Sequence, residues 1–414
     1  MPKTTPFHPC LAPLNETGIW KHWFGHLAAP RYQYSTITEY YAIRNSCAVL
    51  DTSPLFKYRI TGREARRFLQ SVMARDIGRC RPGAAQYTCW CDPDGFVIQD
   101  GVILWVEEEE FWVTAGEPSL HYFRKTAAEL AIRGVEVEDI TDAYGILAVQ
   151  GPHAHRVVSR LTGAVNALKY FELTRAEIGG GDGLVSRTGF TGDLGYELWV
   201  PAAGAEDLWR NLVEAGEDFN LTPIGLEALK MARVEAGLLL LDVDFHSSRH
   251  AWVDAQRESP IELGWRWMFS QLESDPREFI GREVLERQLR EKTNRWVTVG
   301  LGVDWEDYER VHLEAGIRPP KHEVYCESTR SIYRRSEEPW DYAGYASSFL
   351  YSPLLKRPIA IAKLPNDLAT AGTEVDLEIP VIRKPENVLA RVERLPFYNP
   401  ARKAALPTTT PTRS

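Results

Sequence analysis

Residues 86–116 contain three strongly apolar segments separated by very short polar turns. The segments QYTCWC, GFVIQDGVILWV and EFWVTAG are joined through Asp92–Gly95 and through the acidic run Glu107–Glu110. Turns this short join antiparallel neighbours, because a parallel connection needs a crossover of a dozen or more residues. The chain must therefore build an antiparallel sheet here, and the acidic run is expected at a solvated hairpin tip.

Helical periodicity appears between strand-like segments along the first two thirds of the chain. GREARRFLQSVMARDI repeats apolar residues at helical spacing, and further helices are expected at about 37–45, Ser119–Arg133 and His153–Leu161. RAEIGGGDGLVSRTG has glycines between two strand-like runs and predicts a hairpin. The order of these elements indicates an α+β chain rather than strict βαβ repeats.

TPIGLEALKMARVEAG carries signals for both ends of a helix. Thr222 is expected to cap it, Pro223 suits its first turn, and Gly237 is expected to end it.

The pattern changes at about Arg295 to short strands broken by glycine and proline. WVTVGLGV, GYASSFLYSP, PIAIAKLP, GTEVDLEIP and VLARVERLPFY are typical of an antiparallel barrel or sandwich. We therefore predict an α+β region over residues 1–290, a β-barrel domain over 291–400 and a disordered tail over 401–414.

Composition excludes several classes of partner. A net charge of -9, without a cluster of Lys and Arg, argues against nucleic acid. No apolar run reaches the roughly 20 residues that span a bilayer, and MPKTTPFHPCLAP lacks signal-peptide features, so we expect no membrane partner and a cytoplasmic location. The six cysteines form no CxxC pair, and His246 and His250 lack the glutamate of HExxH, so no metal site is predicted.

Two carboxylates stand out because their segments otherwise resemble buried β-structure. Asp100 interrupts the apolar stretch Phe96–Val106, and locally it could simply form a turn with Gly101 at a strand end. In GYELWV, alternation places Glu197 on the face opposite Tyr196, where it could also be solvent-facing.

Several segments, in order, resemble one family, the tetrahydrofolate-dependent aminomethyltransferases typified by the glycine cleavage system T-protein. These segments are EYYAIRNSCAVLDTSPLFK, QYTCWCDPDGFVIQDGVIL, RTGFTGDLGYELWV, ARVEAGLLL and, downstream, SPIELGWRWMF, FIGREVL, SSFLYSP, IAIA and LPFY. The resemblance covers nearly the whole chain. It implies an α+β fold in which a folate-binding region of ferredoxin-like subdomains is followed by a C-terminal antiparallel β-barrel.

The resemblance also implies roles for five residues, with tetrahydrofolate as the cofactor. Asp100 matches the catalytic carboxylate beside N5, where it can stabilise positive charge and move a proton. Glu197 would accept the N–H groups of the pterin, and Arg233 would hold pterin or carboxylate groups. Tyr87 and Trp267 match aromatic residues that pack on the cofactor. Taken alone, Arg233 could be a surface helix residue, and either aromatic residue could belong to the core.

The departures from the family pattern surround the donor rather than the folate. Gln99 stands where a second acid is usual, and Pro54 replaces the histidine of D-x-S-H-M. Leu241 and Asp242 stand where the pattern continues toward L-Y-G, and residues 303–342 replace a shorter hairpin. The resemblance therefore supports the acceptor chemistry better than the identity of the donor.

The function expected from the resemblance is transfer of a one-carbon unit from a small amine- or methyl-bearing donor to N5 of tetrahydrofolate. One alternative is an O-, S- or N-demethylase that makes 5-methyltetrahydrofolate. Another is a non-catalytic folate-binding protein of the iron-sulfur assembly type, although its K-G-C-Y-x-G-Q-E signature is replaced here by RTGFTGDLGYE. A lipoyl-bearing carrier protein or a flavin-containing partner could supply the donor.

Overall fold

The computed structural model divides the chain into two compact units. It describes residues 2–270, 272–274, 276–321, 328–336 and 340–406. The first unit contains residues 2–88, 100–232 and 399–406, and the second contains residues 89–99 and 233–398.

The first unit is built on β-sheets, and the outer ends of β5 and β6 belong to the second unit. The strands are β1 Lys21–Trp23, β2 His26–Ala28, β3 Cys47–Asp51, β4 Phe56–Thr61, β5 Ala84–Cys91, β6 Val97–Glu107, β7 Glu110–Ala115, β8 Glu136–Asp139, β9 Tyr144–Gln150, β10 Leu173–Ile178, β11 Gly181–Ser186, β12 Gly195–Pro201 and β13 Leu221–Pro223. One sheet has the order β10-β11-β12-β9-β3-β13, a second has the order β5-β6-β7-β4-β8, and β1 pairs with β2. The antiparallel pairing of β6 with β7 confirms the predicted hairpin.

Helices connect and cover these strands. They are α1 His8–Leu11, α2 Thr36–Asn45, α3 Ala65–Val72, α4 Leu120–Glu129, α5 Ala154–Leu161, α6 Ala205–Gly216 and α7 Leu226–Glu235. The hairpin predicted for RAEIGGGDGLVSRTG is present as β10 and β11, whose partners run from Leu173 with Ser186 to Ile178 with Gly181.

Each face of the six-stranded sheet packs against a different layer. On one face, Tyr196 and Leu198 of β12 join Val157 of α5 and Leu208 of α6 in a buried cluster. On the other face, Trp199 lies 5.8 Å from Trp112 of the five-stranded sheet, measured between ring centroids. Alternation along β12 therefore sends successive side chains into two different cores, as the sequence predicts.

The predicted start of α7 is wrong and its predicted end is confirmed. Thr222 and Pro223 belong to β13, which pairs with β3 in parallel, and the helix begins only at Leu226. Thr222 and Pro223, whose local sequence favours a helix N-terminus, therefore form an edge strand of the sheet instead. Gly237 has a φ of +64°, a left-handed conformation that suits glycine at a helix end.

The second unit carries a closed antiparallel barrel. Its helices and strands are α8 Arg282–Glu291, β14 Val297–Val303, α9 Trp305–Glu314, β15 Arg330–Arg334, β16 Tyr342–Ser352, β17 Arg357–Leu364, β18 Glu374–Val381 and β19 Lys384–Glu393. The strand order is β14-β17-β16-β15-β18-β19, and β14 also pairs with β19, so that Leu301 faces both Ala360 and Val392. Alternate residues of β14, including Leu301, fill the barrel core.

The barrel contains a strand that the sequence patterns did not reveal. β15 lies within the segment 303–342, and it joins β16 on one side and β18 on the other. Its sequence, RSIYR, has one buried residue, Ile332, so it lacks an extended apolar alternation. Cys326 and the rest of residues 322–327 lie outside the described residues.

The tail expected to be disordered from residue 401 begins with ordered structure. Ala401–Lys403 form a 3-10 helix, and its backbone carbonyls accept hydrogen bonds from the buried Arg187. Residues 407–414 lie outside the described part of the chain. No helix among the described residues is long and apolar enough to cross a membrane.

Candidate functional site

Asp100 lies inside β6 and is held by Tyr87. The Tyr87 hydroxyl donates a hydrogen bond of 2.7 Å to Oδ2 of Asp100. Burial raises the pKa of Asp100 to about 6, and the bond from Tyr87 opposes part of that rise. The alternative in which Asp100 ends a strand and turns with Gly101 is wrong, because β6 continues to Glu107.

Strand alternation explains why these two side chains meet. On β6, Asp100, Val102 and Leu104 share one face, and Leu104 lies in the core between the two sheets with Val102 packed against it. On β5, Tyr87 shares a face with Ala85, which belongs to the same core. The Tyr87–Asp100 pair therefore lies in the layer between the two sheets, where an acid is desolvated.

Glu197 faces the same layer from β12. It shares its face with Trp199, which belongs to the core that contains Leu104. Thr188 Oγ1 donates a 2.7 Å hydrogen bond to Glu197 Oε2, and Ser186 Oγ lies 3.5 Å from that oxygen. Burial raises the pKa of Glu197, and the two hydroxyls partly offset the effect. Glu197 is therefore partly buried between the sheets, not solvent-facing.

Two glycines of RTGFTGDLGYE make room for the side chain that supports this loop. A Cβ on Gly189 or Gly195 would lie 2.1 or 2.2 Å from Oε1 of Gln150. Gln150 Nε2 donates to the backbone oxygen of Thr188 at 3.3 Å, and Thr191 Oγ1 donates to Gln150 Oε1 at 2.8 Å. The glycines thus allow Gln150 to fix the loop that carries Thr188.

The two acids of this layer differ in the use of their oxygens. Both hydrogen bonds to Glu197 end on Oε2, and its Oε1 accepts none from the residues that the structure describes. Tyr87 is the side chain that donates to Asp100. A carboxylate with an unused oxygen can accept N–H groups of a ligand, and one with a pKa near 6 can both give and take a proton near neutral pH.

Arg233 is a buried residue, not the surface helix residue that one sequence interpretation allowed. Its side chain is 0% exposed and forms an ion pair with Asp244, which is also fully buried. It also donates to Ser348 Oγ at 2.7 Å and to the backbone oxygen of Leu238 at 3.1 Å. The surface alternative is wrong, and within the second unit the guanidinium contacts both Asp244 and Ser348 of β16.

Asp244 is a residue that the sequence reasoning missed. It accepts from Ser347 at 2.6 Å, from Ser348 at 2.7 Å and from the backbone N–H of Leu240 at 2.8 Å. Asp242, which marks the departure from the family pattern, is exposed. The signal that could have found Asp244 is an acid within the apolar run LLLLDVDF, which needs partners if it is buried.

Trp267 lies in the 3-10 helix Arg266–Phe269 of the second unit and is 49% exposed. The alternative that it belongs to the core is therefore wrong. Thr188 and Ser186, the partners of Glu197, were also missed, although both hydroxyls lie within a dozen residues of it in the motif.

Metal binding has no obvious candidate in the described part of the chain. No group of three or more His, Cys, Asp or Glu side chains there could hold a metal ion. Cys10, Cys47, Cys80, Cys89 and Cys91 form no disulfide.

The chain has a mixed helix-and-sheet region followed by a closed six-stranded antiparallel barrel, and this combination defines its class of protein. The predicted α+β fold with a C-terminal barrel is therefore confirmed. The model of the GCVT N-terminal domain family matches residues 13–267, and that of the glycine cleavage T-protein C-terminal barrel domain matches residues 310–399. The chain belongs to the glycine cleavage T-protein family.

Named relatives of two kinds are similar to this chain. The aminomethyltransferase of Bacillus subtilis (strain 168) is 30% identical over 370 residues, which are 88% of this chain and 92% of that protein. The trimethylamine-oxide aldolase of Ruegeria pomeroyi is 31% identical over 387 residues, which are 91% of this chain but 45% of that protein. Aminomethyltransferases are transferases, and this chain is similar to both kinds of relative.

A solved structure supports the fold. The crystal structure of glycine cleavage system aminomethyltransferase T from Bartonella henselae matches with a TM-score of 0.80 and 20% identity, over 96% of this chain and 99% of that one. At this level of identity the likeness shows the fold alone.

Proposed function

We propose that this chain is a tetrahydrofolate-dependent one-carbon transferase, which moves a carbon from a small amine- or methyl-bearing donor to N5 of tetrahydrofolate. The observation that carries the proposal is the Tyr87–Asp100 pair, a desolvated acid with a pKa of about 6 in the layer that Glu197 also faces. Membership of the glycine cleavage T-protein family supports it.

The donor and acceptor groups in this layer suit a reduced pterin. The pterin ring presents several N–H donors, and Glu197 offers an oxygen that accepts no hydrogen bond from the described residues. The hydroxyls of Ser186 and Thr188 hold the other oxygen and so fix the plane of the carboxylate. Apolar side chains of the neighbouring core reduce the contact of this carboxylate with water, which strengthens such hydrogen bonds.

Tetrahydrofolate, when bound, supplies the nucleophilic nitrogen that accepts the carbon. Asp100, as a carboxylate, stabilises positive charge that develops on nitrogen and takes up the proton released there. A pKa of about 6 suits both tasks, because the group is mostly ionised at neutral pH and yet basic enough to accept a proton. Tyr87 fixes the orientation of this carboxylate through its hydroxyl.

In the family pattern an acidic residue usually precedes the catalytic aspartate, whereas in this chain the neutral Gln99 precedes Asp100. A like charge close by would raise the pKa of Asp100 further and oppose its ionisation. Because Gln99 is neutral, desolvation is the main cause of the raised pKa here. Asp100 is thus expected to work alone as the proton-transfer group.

Arg233 and Trp267 remain predicted cofactor-binding residues. The indole of Trp267 is about half-exposed, and an aromatic side chain of this kind can pack on a pterin ring. Arg233 is committed to Asp244 and Ser348, so we expect it to act on folate through the structure that it stabilises. Its replacement should therefore alter stability as well as affinity.

Three kinds of one-carbon donor are compatible with the proposed reaction. Similarity to an aminomethyltransferase favours a lipoyl-bound aminomethyl group delivered by a carrier protein. Similarity to a trimethylamine-oxide aldolase favours a one-carbon unit that originates from a methylated amine. A flavin-containing partner that oxidises such an amine would serve the same purpose, and a demethylase that makes 5-methyltetrahydrofolate is the remaining catalytic alternative.

The test is mass spectrometry of folate products after anaerobic incubation with tetrahydrofolate and a pool of donors. The pool contains lipoyl-bound aminomethyl, methylamines, trimethylamine N-oxide, formaldehyde, glycine betaine, a sulfonium and aryl methyl ethers. Each reaction is repeated with Asp100→Asn and with Asp94→Asn, which removes an exposed turn carboxylate instead. The second variant serves as the matched control.

Formation of 5,10-methylenetetrahydrofolate that depends on Asp100 supports the proposal and places the donor at the oxidation level of formaldehyde. Formation of 5-methyltetrahydrofolate would identify a demethylase. Binding of tetrahydrofolate without any product would favour the non-catalytic folate-binding alternative. Equal product from wild type and Asp100→Asn would remove Asp100 from the mechanism.

A further inference from the structure

The segment Asn399–Leu406, which we call the return segment, belongs to the first unit although it follows the barrel in sequence. Its 3-10 helix Ala401–Lys403 lies against the loop Arg187–Asp193. This loop carries Thr188, the residue that donates to Glu197. The return segment is therefore joined to the loop that orients one of the two acids of the candidate site.

One end of the loop is held through backbone carbonyls of the return segment. Arg187 is fully buried, and its NH2 group donates to the backbone oxygen of Ala405 at 2.5 Å and to that of Lys403 at 3.2 Å. Its NH1 group donates to the backbone oxygen of Leu168 at 3.0 Å. A buried guanidinium needs such acceptors, because an unsatisfied charged group in the interior is costly.

The other end of the loop is held by an ion pair. Arg402 donates from Nε to Oδ1 of Asp193 at 2.7 Å and from NH2 to Oδ2 at 2.8 Å. The Asp193 side chain is 0% exposed, and Arg44 lies 3.5 Å from its Oδ2. Two parallel bonds to one carboxylate fix its position and orientation, which a single point charge would not do.

The path from these contacts to Glu197 is short. Thr188 follows Arg187 directly, and Gln150 ties the backbone oxygen of Thr188 to the hydroxyl of Thr191, two residues before Asp193. Contacts therefore hold the loop Arg187–Asp193 at both ends and in its middle. The position of the Thr188 hydroxyl, which donates to Glu197, depends on these contacts.

We propose that the return segment is a positioning element of the folate site, and that Arg402 is its principal positioning residue. Holding Arg187 and Asp193 keeps Thr188 aimed at Glu197 and so leaves Glu197 Oε1 turned toward the ligand. That the ligand is tetrahydrofolate rests on the proposed function, whereas the contacts between the return segment and the loop do not. It predicts that Arg402 affects affinity for tetrahydrofolate and leaves the chemical step nearly unchanged.

The experiment compares Arg402→Ala and Arg402→Lys with two controls. Arg318→Ala removes an exposed arginine elsewhere, and a chain that stops after Leu406 removes residues 407–414 while keeping every contact described above. Hydrogen exchange of the peptide 187–197 reports the loop without any ligand. Calorimetric titration with tetrahydrofolate gives the dissociation constant, and steady-state kinetics with the active donor separates KM from kcat.

For Arg402→Ala we expect faster exchange confined to the peptide 187–197, a dissociation constant about tenfold higher and a kcat within about twofold of wild type. Arg402→Lys should recover part of the affinity, because it restores the charge but not the two-pronged geometry. Both controls should match wild type.

Wild-type exchange and affinity in Arg402→Ala would overturn the proposal. So would a loss of kcat at unchanged affinity, or accelerated exchange across the whole chain in both Arg402 variants, which would make the segment a general part of the fold. Failure of wild type itself to bind tetrahydrofolate would refute the proposed function, while the exchange data would still decide whether the return segment holds the loop.

Discussion

Replacement of Asp100 by asparagine should lower turnover and stabilise the fold at the same time. Asparagine keeps the size of the side chain and can still accept the hydroxyl of Tyr87, but it carries no charge. Loss of the group that moves a proton at the reaction centre should lower turnover about a hundredfold or more. Binding of tetrahydrofolate should stay nearly intact, because Glu197 is untouched.

The gain in stability follows from the raised pKa of Asp100. The pKa rises from 3.8 to about 6 on folding, and each unit corresponds to about 1.4 kcal/mol, so the ionised group opposes folding by about 3 kcal/mol. Between these two pKa values the folded state binds more protons than the unfolded state. The free energy of unfolding of the wild type therefore falls as pH rises through this window.

The asparagine variant lacks this penalty. It should exceed the wild type in free energy of unfolding by about 3 kcal/mol at pH 8, and by less than about 1 kcal/mol at pH 4. Urea denaturation at the two pH values measures the difference, with Asp94→Asn as the exposed control. A variant that is less stable than wild type at pH 8 would refute the reasoning, because the fold would then stabilise the ionised form.

Three further predictions concern the neighbours of these groups. Tyr87→Phe removes a bond that lowers the pKa of Asp100, so the acid limb of the pH profile of kcat/KM should move upward from about 6; an unmoved limb would contradict the role of Tyr87. Glu197→Gln should weaken tetrahydrofolate binding about ten- to a hundredfold in calorimetry with a smaller effect on kcat, since it removes a charged hydrogen-bond acceptor. Asp244→Ala leaves the buried Arg233 without its carboxylate and should lower the free energy of unfolding by about 3–5 kcal/mol in urea, whereas a loss below about 1 kcal/mol would show that the pair is dispensable.

The pattern of apolar residues and turns along the chain predicted much of the fold. The short turns of residues 86–116 required antiparallel pairing, and the observed β6–β7 hairpin follows from them. Alternation along β12 correctly separated Tyr196 from Trp199, because a strand directs successive side chains to opposite faces regardless of what covers them. Gly237 ended a helix because only glycine enters the left-handed region without strain.

Local patterns failed where a neighbouring element competed for the same residues. Thr222 and Pro223 have the sequence of a helix start, but the parallel pairing with β3 made them a strand. β15 has too short an apolar pattern to be recognised, and it exists because β16 and β18 both need a partner to close the barrel. In both places, pairing with strands distant in sequence outweighed the weak conformational preference of the local sequence.

The sequence by itself determined the α+β class, most strands, and the resemblance that singled out Asp100 and Glu197. Only the tertiary structure decided what satisfies the buried charges: Arg233 finds Ser348 115 residues away, and Arg402 finds Asp193 209 residues away. Secondary structure is encoded by neighbours three or four positions apart, and therefore can be read along the chain. The partner of a buried charge is set by which segments the fold brings together, and no local spacing records that.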